Sequence, residues 1–188
     1  MNQLKAFFNS LLPFSEREMN VIIELFSSST LSKNEYFAQE GEFSTKLAFI
    51  STGVMRAFYR SAEGHEYNKT FFTNGHFVGA YSSLVTGNRN LINIQCLTDC
   101  TFLVADFGKI MNLYPAYPKI ESFARILAER KFVIKEKREI ELVTLDASKR
   151  YDIFRKEHPN LENLIAQYHI ASYLGITPTQ LSRIRAHK

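Results

Sequence analysis

The chain has only two cysteines, Cys96 and Cys100, among its 188 residues. A four-thiolate zinc or iron–sulfur site is therefore excluded. Proline is absent between Phe14 and Tyr114, so unbroken strands can form there. No long apolar run exists. One long stretch without a charged residue, Thr70 to Asn88, contains His76, two Asn and three Gly. It would make a poor membrane helix, and no membrane partner is expected. The first residues show no basic segment followed by an apolar run, so a cytoplasmic location is expected. Also missing are a nucleophile elbow, a phosphate-binding glycine loop and spaced metal ligands. His65, Glu66 and His76 lack the closely spaced histidine pair that a metal-binding jelly roll uses. No enzyme, catalytic residue, metal or cofactor is expected.

What is abundant is aromatic surface, 16 Phe and 9 Tyr in a chain 45% hydrophobic and 22% charged. Such a chain can bury a core without disulfides, and its length suits one large domain or two small ones. Its net charge of +4 is uneven. Residues 1–118 carry nine Lys/Arg against ten Asp/Glu, residues 119–144 seven against five, and residues 145–188 seven against four. The positive excess lies where a nucleic-acid contact could use it, although an excess of this size is weak evidence alone.

Glycines at 41, 53, 64 and 75 recur about every eleven residues, which suggests short antiparallel strands between regular turns. Lys46 to Arg60 reads as two strands broken at Gly53, Tyr67 to Phe72 as another after the Glu63-Gly64 turn, and Ile92, Ile94 and Cys96 alternate with polar neighbours. A jelly-roll barrel over about 33–106 is expected. Cys96 and Cys100 flank a Thr98-Asp99 turn; positions so placed in a two-residue hairpin are not directly opposite, so free, buried thiols are expected. In front of the barrel, Ser15 and Glu18 form a capping box ahead of the helical stripe Met19, Ile22, Ile23 and Phe26.

After Pro118 the periodicity becomes helical. Ile120, Leu127 and Ile134 repeat every seven residues, as do Ile126, Val133 and Ile140, and with Phe123 they give one broad apolar face. A helix of about 25 residues is expected, packed on the barrel and on a second copy of the chain. From Leu145 onward, Asp146 caps a helix over about 147–157 that breaks at His158-Pro159-Asn160. Ala166 to Leu174 leads through Gly175-Ile176 into Thr177-Pro178-Thr179-Gln180, where one helix stops and another starts with its own capping box. With Gly175 at the corner and the small Ala171 beside it, this is a helix-turn-helix signature.

On the second of these helices Leu181 and Ile184 must face the core. Thr179, Arg183 and Ala186 then face outward with Ser182 on the flank. Arg183 can take guanine O6 and N7 together, while Thr179 and Ser182 are small enough to enter a major groove. Gln180 reads adenine or only caps, Thr177 caps, and Arg185 and Lys188 suit phosphates, Arg185 from nearer the core-facing side.

A jelly roll, a long helix and a terminal helix-turn-helix, in that order, resemble the Crp/Fnr family of bacterial transcriptional regulators. Leu12-Pro13-Phe14-Ser15, Gly53-Val54-Met55-Arg56, Glu63-Gly64-His65-Glu66, Phe77-Val78-Gly79 before Tyr81-Ser82-Ser83, Leu145 to Tyr151, and Tyr173 to Pro178 all look like that family. The resemblance implies an α+β chain with a cyclic-nucleotide-binding-like sensor barrel (1–118), a dimerisation helix (119–144) and a helix-turn-helix, winged-helix-like domain (145–188). It also implies a homodimer that reads a palindromic operator in double-stranded DNA and contacts RNA polymerase, with Arg183 at the family's base-contacting arginine. Pro178 and Thr179 stand where the family has an arginine and a glutamate, so the operator sequence does not carry over. Lys188 closely follows the last helix, so backbone contacts that a wing supplies elsewhere in the family are expected to be absent or to come from elsewhere.

The implied effector pocket comprises Gly79, Ala80, Tyr81, Ser82, Ser83, Arg89, Asn90 and Leu91. Where nucleotide-binding members carry an acid, an arginine and a hydroxyl residue, this chain has Ala80, Asn90 and Leu91. A buried phosphate would lack a cation there, so cyclic AMP is not expected to bind. Arg89 is a one-residue slip away, which sends its side chain to the other face of a strand. The alternative to DNA recognition is a protein-binding dimeric adaptor, or a sensor for an unidentified small ligand.

Overall fold

A computed structural model describes residues 1–187. The chain divides into two compact units, Met1–Ala57 with Phe71–Arg130, and Phe58–Thr70 with Lys131–Lys188. This differs from the three consecutive segments expected above: the long helix is shared between the units, and a hairpin from the barrel sequence belongs with the C-terminal residues.

The first unit opens with α1 (Asn2–Leu11) and α2 (Glu16–Ile23). The capping box of α2 is present, with Ser15 accepting from the Glu18 N–H and Glu18 accepting from the Ser15 N–H. Those Ser15 contacts, together with Lys119 at 2.9 Å, hold the Glu18 carboxyl down at about 2. Eight strands follow: β1 (Ser27–Leu31), β2 (Tyr36–Ala38), β3 (Lys46–Thr52), β4 (Met55–Arg60), β5 (Glu66–Phe72), β6 (Phe77–Val78), β7 (Asn93–Cys96) and β8 (Cys100–Asp106). They form two four-stranded sheets, ordered β1-β8-β3-β6 and β2-β7-β4-β5. The short helix α3 (Tyr81–Thr86) interrupts them, and α4 (Phe107–Met111) follows the last.

The alternation along β3 explains the layering. Ala48 and Ile50 point between the sheets, where they meet Met55, Ala57, Ile94 and Phe102. Phe49 points the other way, into a cluster with Leu4, Phe8, Ile22 and Phe77. A strand buried on both faces reads as a continuous apolar run, as Leu47-Ala48-Phe49-Ile50 does. Cys96 and Cys100 are free and buried. The strands that carry them lie in different sheets, so the Thr98-Asp99 turn links the layers and is not the tip of a two-residue hairpin. Gly53, at φ +98°, packs so closely that a Cβ would come within 2.6 Å of the Cys100 sulfur.

The long helix α5 spans Pro118–Thr144. Its single broad apolar face resolves into two. Ile120 and Phe123 are buried in the first unit with Leu127 packed beside them. Phe132, Val133, Ile140 and Val143 are 56–86% exposed, and Val133 and Ile140 continue, seven residues apart, the line that runs through Ile126. The seven residues expected to pair two copies therefore divide: Ile120, Phe123 and Leu127 fill the unit's own core, Ile126 is half-buried, and Val133, Ile134 and Ile140 remain outside.

In the second unit α6 (Ala147–Glu157) is capped by Asp146, and a 3-10 turn, Leu161–Asn163, precedes α7 (Gln167–Leu174) and α8 (Pro178–Ala186). Tyr151, Phe154, Leu161, Ile170, Leu174 and Leu181 are buried.

Candidate nucleic-acid interface and effector site

Helix α7 ends because Gly175 turns left-handed at φ +67°, a conformation open to glycine without strain. The Ile176 N–H then returns to the Ala171 carbonyl at 3.0 Å. Thr177 restarts the helix: its hydroxyl accepts from the Gln180 N–H at 3.2 Å, and Gln180 Oε1 accepts from the Thr177 N–H at 2.9 Å. Both side chains are thus committed to the cap, which assigns Gln180 its capping role.

Beyond the cap, α8 is one-sided. Leu181 is 1% exposed and Ile184 half-buried, whereas Thr179, Ser182, Arg183 and Ala186 are exposed. Arg183 forms no hydrogen bond or ion pair with any described residue. Arg185 is also exposed and lies within electrostatic reach of the buried Tyr151. Lys188 lies outside the described residues.

Two arginines missed by the sequence reading anchor α7. Arg138 of α5 donates to the Tyr173 carbonyl and stacks 3.4 Å from the Tyr173 ring centroid. Arg150 of α6 donates to the carbonyls of Leu142, Leu145 and Leu174, joining the C-terminal ends of α5 and α7. Each supplies charge-assisted bonds to carbonyls that a helix end leaves open.

His158 packs against the rings of Phe154 and Tyr173 at 5.3 and 5.9 Å. Burial pushes its pKa down, against Glu157 and with help from Arg138. The unfolded chain thus takes up this proton more readily, so the neutral ring's contribution to stability is full above about pH 6.5 and is lost as pH falls below it. Denaturation of the protein at pH 7.5 and 5.5 should show this loss, and His158→Gln should reduce the slope; an unchanged slope would refute it.

The implied effector residues lie in the first unit, where Ser83 and Asn90 come together at Ser44. Ser83 and Asn90 are each 3% exposed. The Ser83 hydroxyl accepts from the Ser44 N–H at 3.2 Å and donates to the Asn88 carbonyl at 2.6 Å. Asn90 Nδ2 donates to the Gln39 carbonyl at 3.0 Å and to Ser44 Oγ at 2.9 Å. Both amide protons are used, and the group left without a partner is Oδ1, an acceptor. An anion needs donors, and this corner offers it a lone pair. Gly79 is pinned between Leu84 and Leu47, and Ala80 is buried. Tyr81, Ser82 and Leu91 face outward. Arg89 turns away too, donating to the Gly41 carbonyl at 2.7 Å over the Phe43 ring. A nearby cavity of about 180 Å³, lined by Phe37, Ala38 and Glu42–Lys46, contains none of the implied residues. It is smaller than the usual small-molecule pocket of about 300 Å³ or more.

Residues 29–117 match the family model of the cyclic nucleotide-binding domain. No curated protein matches the chain. Among solved structures, FixK2 from Bradyrhizobium japonicum superposes with a TM-score of 0.77 at 15% identity, over 86% of this chain and 83% of that one. A putative Crp/Fnr-family transcriptional regulator from Eubacterium rectale gives 0.74 at 15% identity, over 97% and 87%. The c-di-GMP-responsive global regulator CLP from Xanthomonas campestris gives 0.71 at 13% identity, over 90% and 89%. The chain thus shares an α+β fold with such regulators: an antiparallel β-sandwich of the cyclic-nucleotide-binding type, a long helix and C-terminal helices. Among the described residues no helix is long and apolar enough to cross a membrane, and no group of three or more side chains could hold a metal.

Proposed function

We propose that the protein is a homodimeric, DNA-binding transcriptional regulator of the Crp/Fnr type whose barrel does not bind cyclic AMP. The observation that carries the reading is the face of α8, where Thr179, Ser182 and an Arg183 unengaged among the described residues project beside a buried Leu181. A helix so seated behind a tight turn suits the major groove. The outward line of α5, with Val133, Ile140 and Val143 exposed, suits a second copy, because an apolar stripe of this length on a surface helix otherwise stays in water. Two copies place one α8 on each half of a palindrome, and the bound dimer meets RNA polymerase at the promoter. The internal engagement of Ser83 and Asn90 supports a barrel closed to cyclic phosphates.

Selection from randomised duplex DNA at stated, near-physiological salt, with and without cyclic AMP, tests this reading. A palindrome enriched equally in both conditions is expected. Enrichment that requires cyclic AMP would overturn the closed-barrel part, and no enrichment in either would favour the adaptor alternative. Sedimentation should show a dimer in the wild type and a monomer in the double variant Val133→Glu, Ile140→Glu; a variant that stays dimeric would move the interface off this face.

A further inference from the structure

Strand β5 is the outermost strand of its sheet. One edge of its backbone therefore has no strand to pair with. In the second unit a helix side chain takes that place. The Asn68 N–H donates to Ser172 Oγ at 3.0 Å, and the Ser172 hydroxyl donates to the Glu66 carbonyl at 2.8 Å. One hydroxyl thus serves a donor and an acceptor two residues apart, the pair that one residue of a neighbouring parallel strand would satisfy. Asn68 completes the contact: its side chain is fully buried, and Nδ2 donates to the His169 carbonyl at 2.9 Å. Helix α7 is latched along the strand edge.

The same unit also holds the C-terminal end of α7, next to Ser172, through Arg138 and Arg150. It also contains the part of α5 that exposes Phe132, Val133, Ile140 and Val143. Lys69 of the hairpin lies within electrostatic reach of Lys135 and Glu139 on α5. The surface that suits a second copy and the helix that suits DNA therefore belong to one compact unit, and the internal geometry of that unit sets the distance between two α8 helices in a dimer.

We infer that Ser172 and Asn68 are positioning residues that fix the half-site spacing of the operator, acting through α7 and touching no base. This rests on the DNA-binding reading above. The test is selection from duplexes that hold two half-sites at varied spacer lengths, using the full chain. Ser172→Ala should weaken the preference for one spacer about five- to tenfold, the effect expected of one well-made hydrogen bond, while base preference within each half-site stays as in the wild type. Ser172→Thr, which keeps the hydroxyl, should restore the spacer preference. A preference as sharp in Ser172→Ala as in the wild type would overturn the inference. If Ser172→Ala loses half-site recognition altogether, Asn68→Ala, which leaves the reading helices untouched, is judged by the same two criteria. If the wild type enriches no duplex, the DNA-binding reading fails and the spacing role with it. Exchange of the Asn68 amide hydrogen then separates the two: faster exchange in Ser172→Ala leaves the latch standing, and equal exchange removes it as well.

Discussion

Replacing Phe123 with alanine should destabilise the first unit by about 3–5 kcal/mol, the range for removing a buried phenyl group from a core that cannot collapse around the gap. Phe123 is 4% exposed, with ring centroids of Phe8 at 4.4 Å, Phe14 at 6.0 Å, and Phe7 and Phe77 at 6.2 Å. Its neighbours come from α1, the α1–α2 connection and β6, and all four would lose contact at once. Relaxation is limited because Phe77 is also held edge-on by Phe49 at 5.2 Å. Denaturant titration of wild type and variant provides the measurement. Phe123→Leu should recover most of the loss, since leucine fills part of the volume without strain. A loss below about 1 kcal/mol for the alanine variant would mean that the cluster reorganises.

Arg183→Ala should weaken specific DNA binding about 5- to 150-fold, equivalent to about 1–3 kcal/mol, and relax the base preference at one operator position. Arg183 has no internal partner to lose among the described residues, so the fold should be unaffected. Lysine should not substitute, because a single ammonium cannot reproduce the planar pair of donors that grips guanine. Binding measured on the selected operator and on random duplex distinguishes base reading from charge. Equal losses on both would assign Arg183 to the phosphate backbone. An unchanged sequence preference would remove it from the reading face.

The sequence shows much of the fold because its strongest signals are local. The capping boxes at Ser15 and Thr177, the cap at Asp146 and the turn at Gly175 all appear where the residues imply them. Helix α1 was not anticipated: Leu4, Phe7, Phe8 and Leu11 recur at helical spacing, but Met1 supplies no side-chain cap to mark the start. The two faces of α5 were merged because Ile120-Leu127-Ile134 and Ile126-Val133-Ile140 share one period, and periodicity does not say which neighbour each line meets. Arg138, Arg150 and Ser172 escaped notice for a different reason. Their partners are backbone carbonyls and amides distant in sequence, and no residue pattern marks a carbonyl. At the effector corner, the departures at Ala80, Asn90 and Leu91 were visible, but the replacement bonds from Asn90 and Ser83 to the 39–44 loop were not.

The interleaving of the two units also orders events during synthesis. Asn68 and Ser172 are 104 residues apart, so the ribosome completes the 58–70 hairpin long before the helix that covers its edge emerges. At about 5–20 residues per second, the strand waits on the order of ten seconds with that edge open to other nascent chains. Glu66 and Lys69, charged residues on the waiting strand, oppose edge-to-edge association in this interval. A fragment beginning at residue 131 would lack the hairpin altogether. The C-terminal unit is therefore not a severable module: its boundary in space is drawn through two strands, β4 and β5, that the chain lays down in its first half.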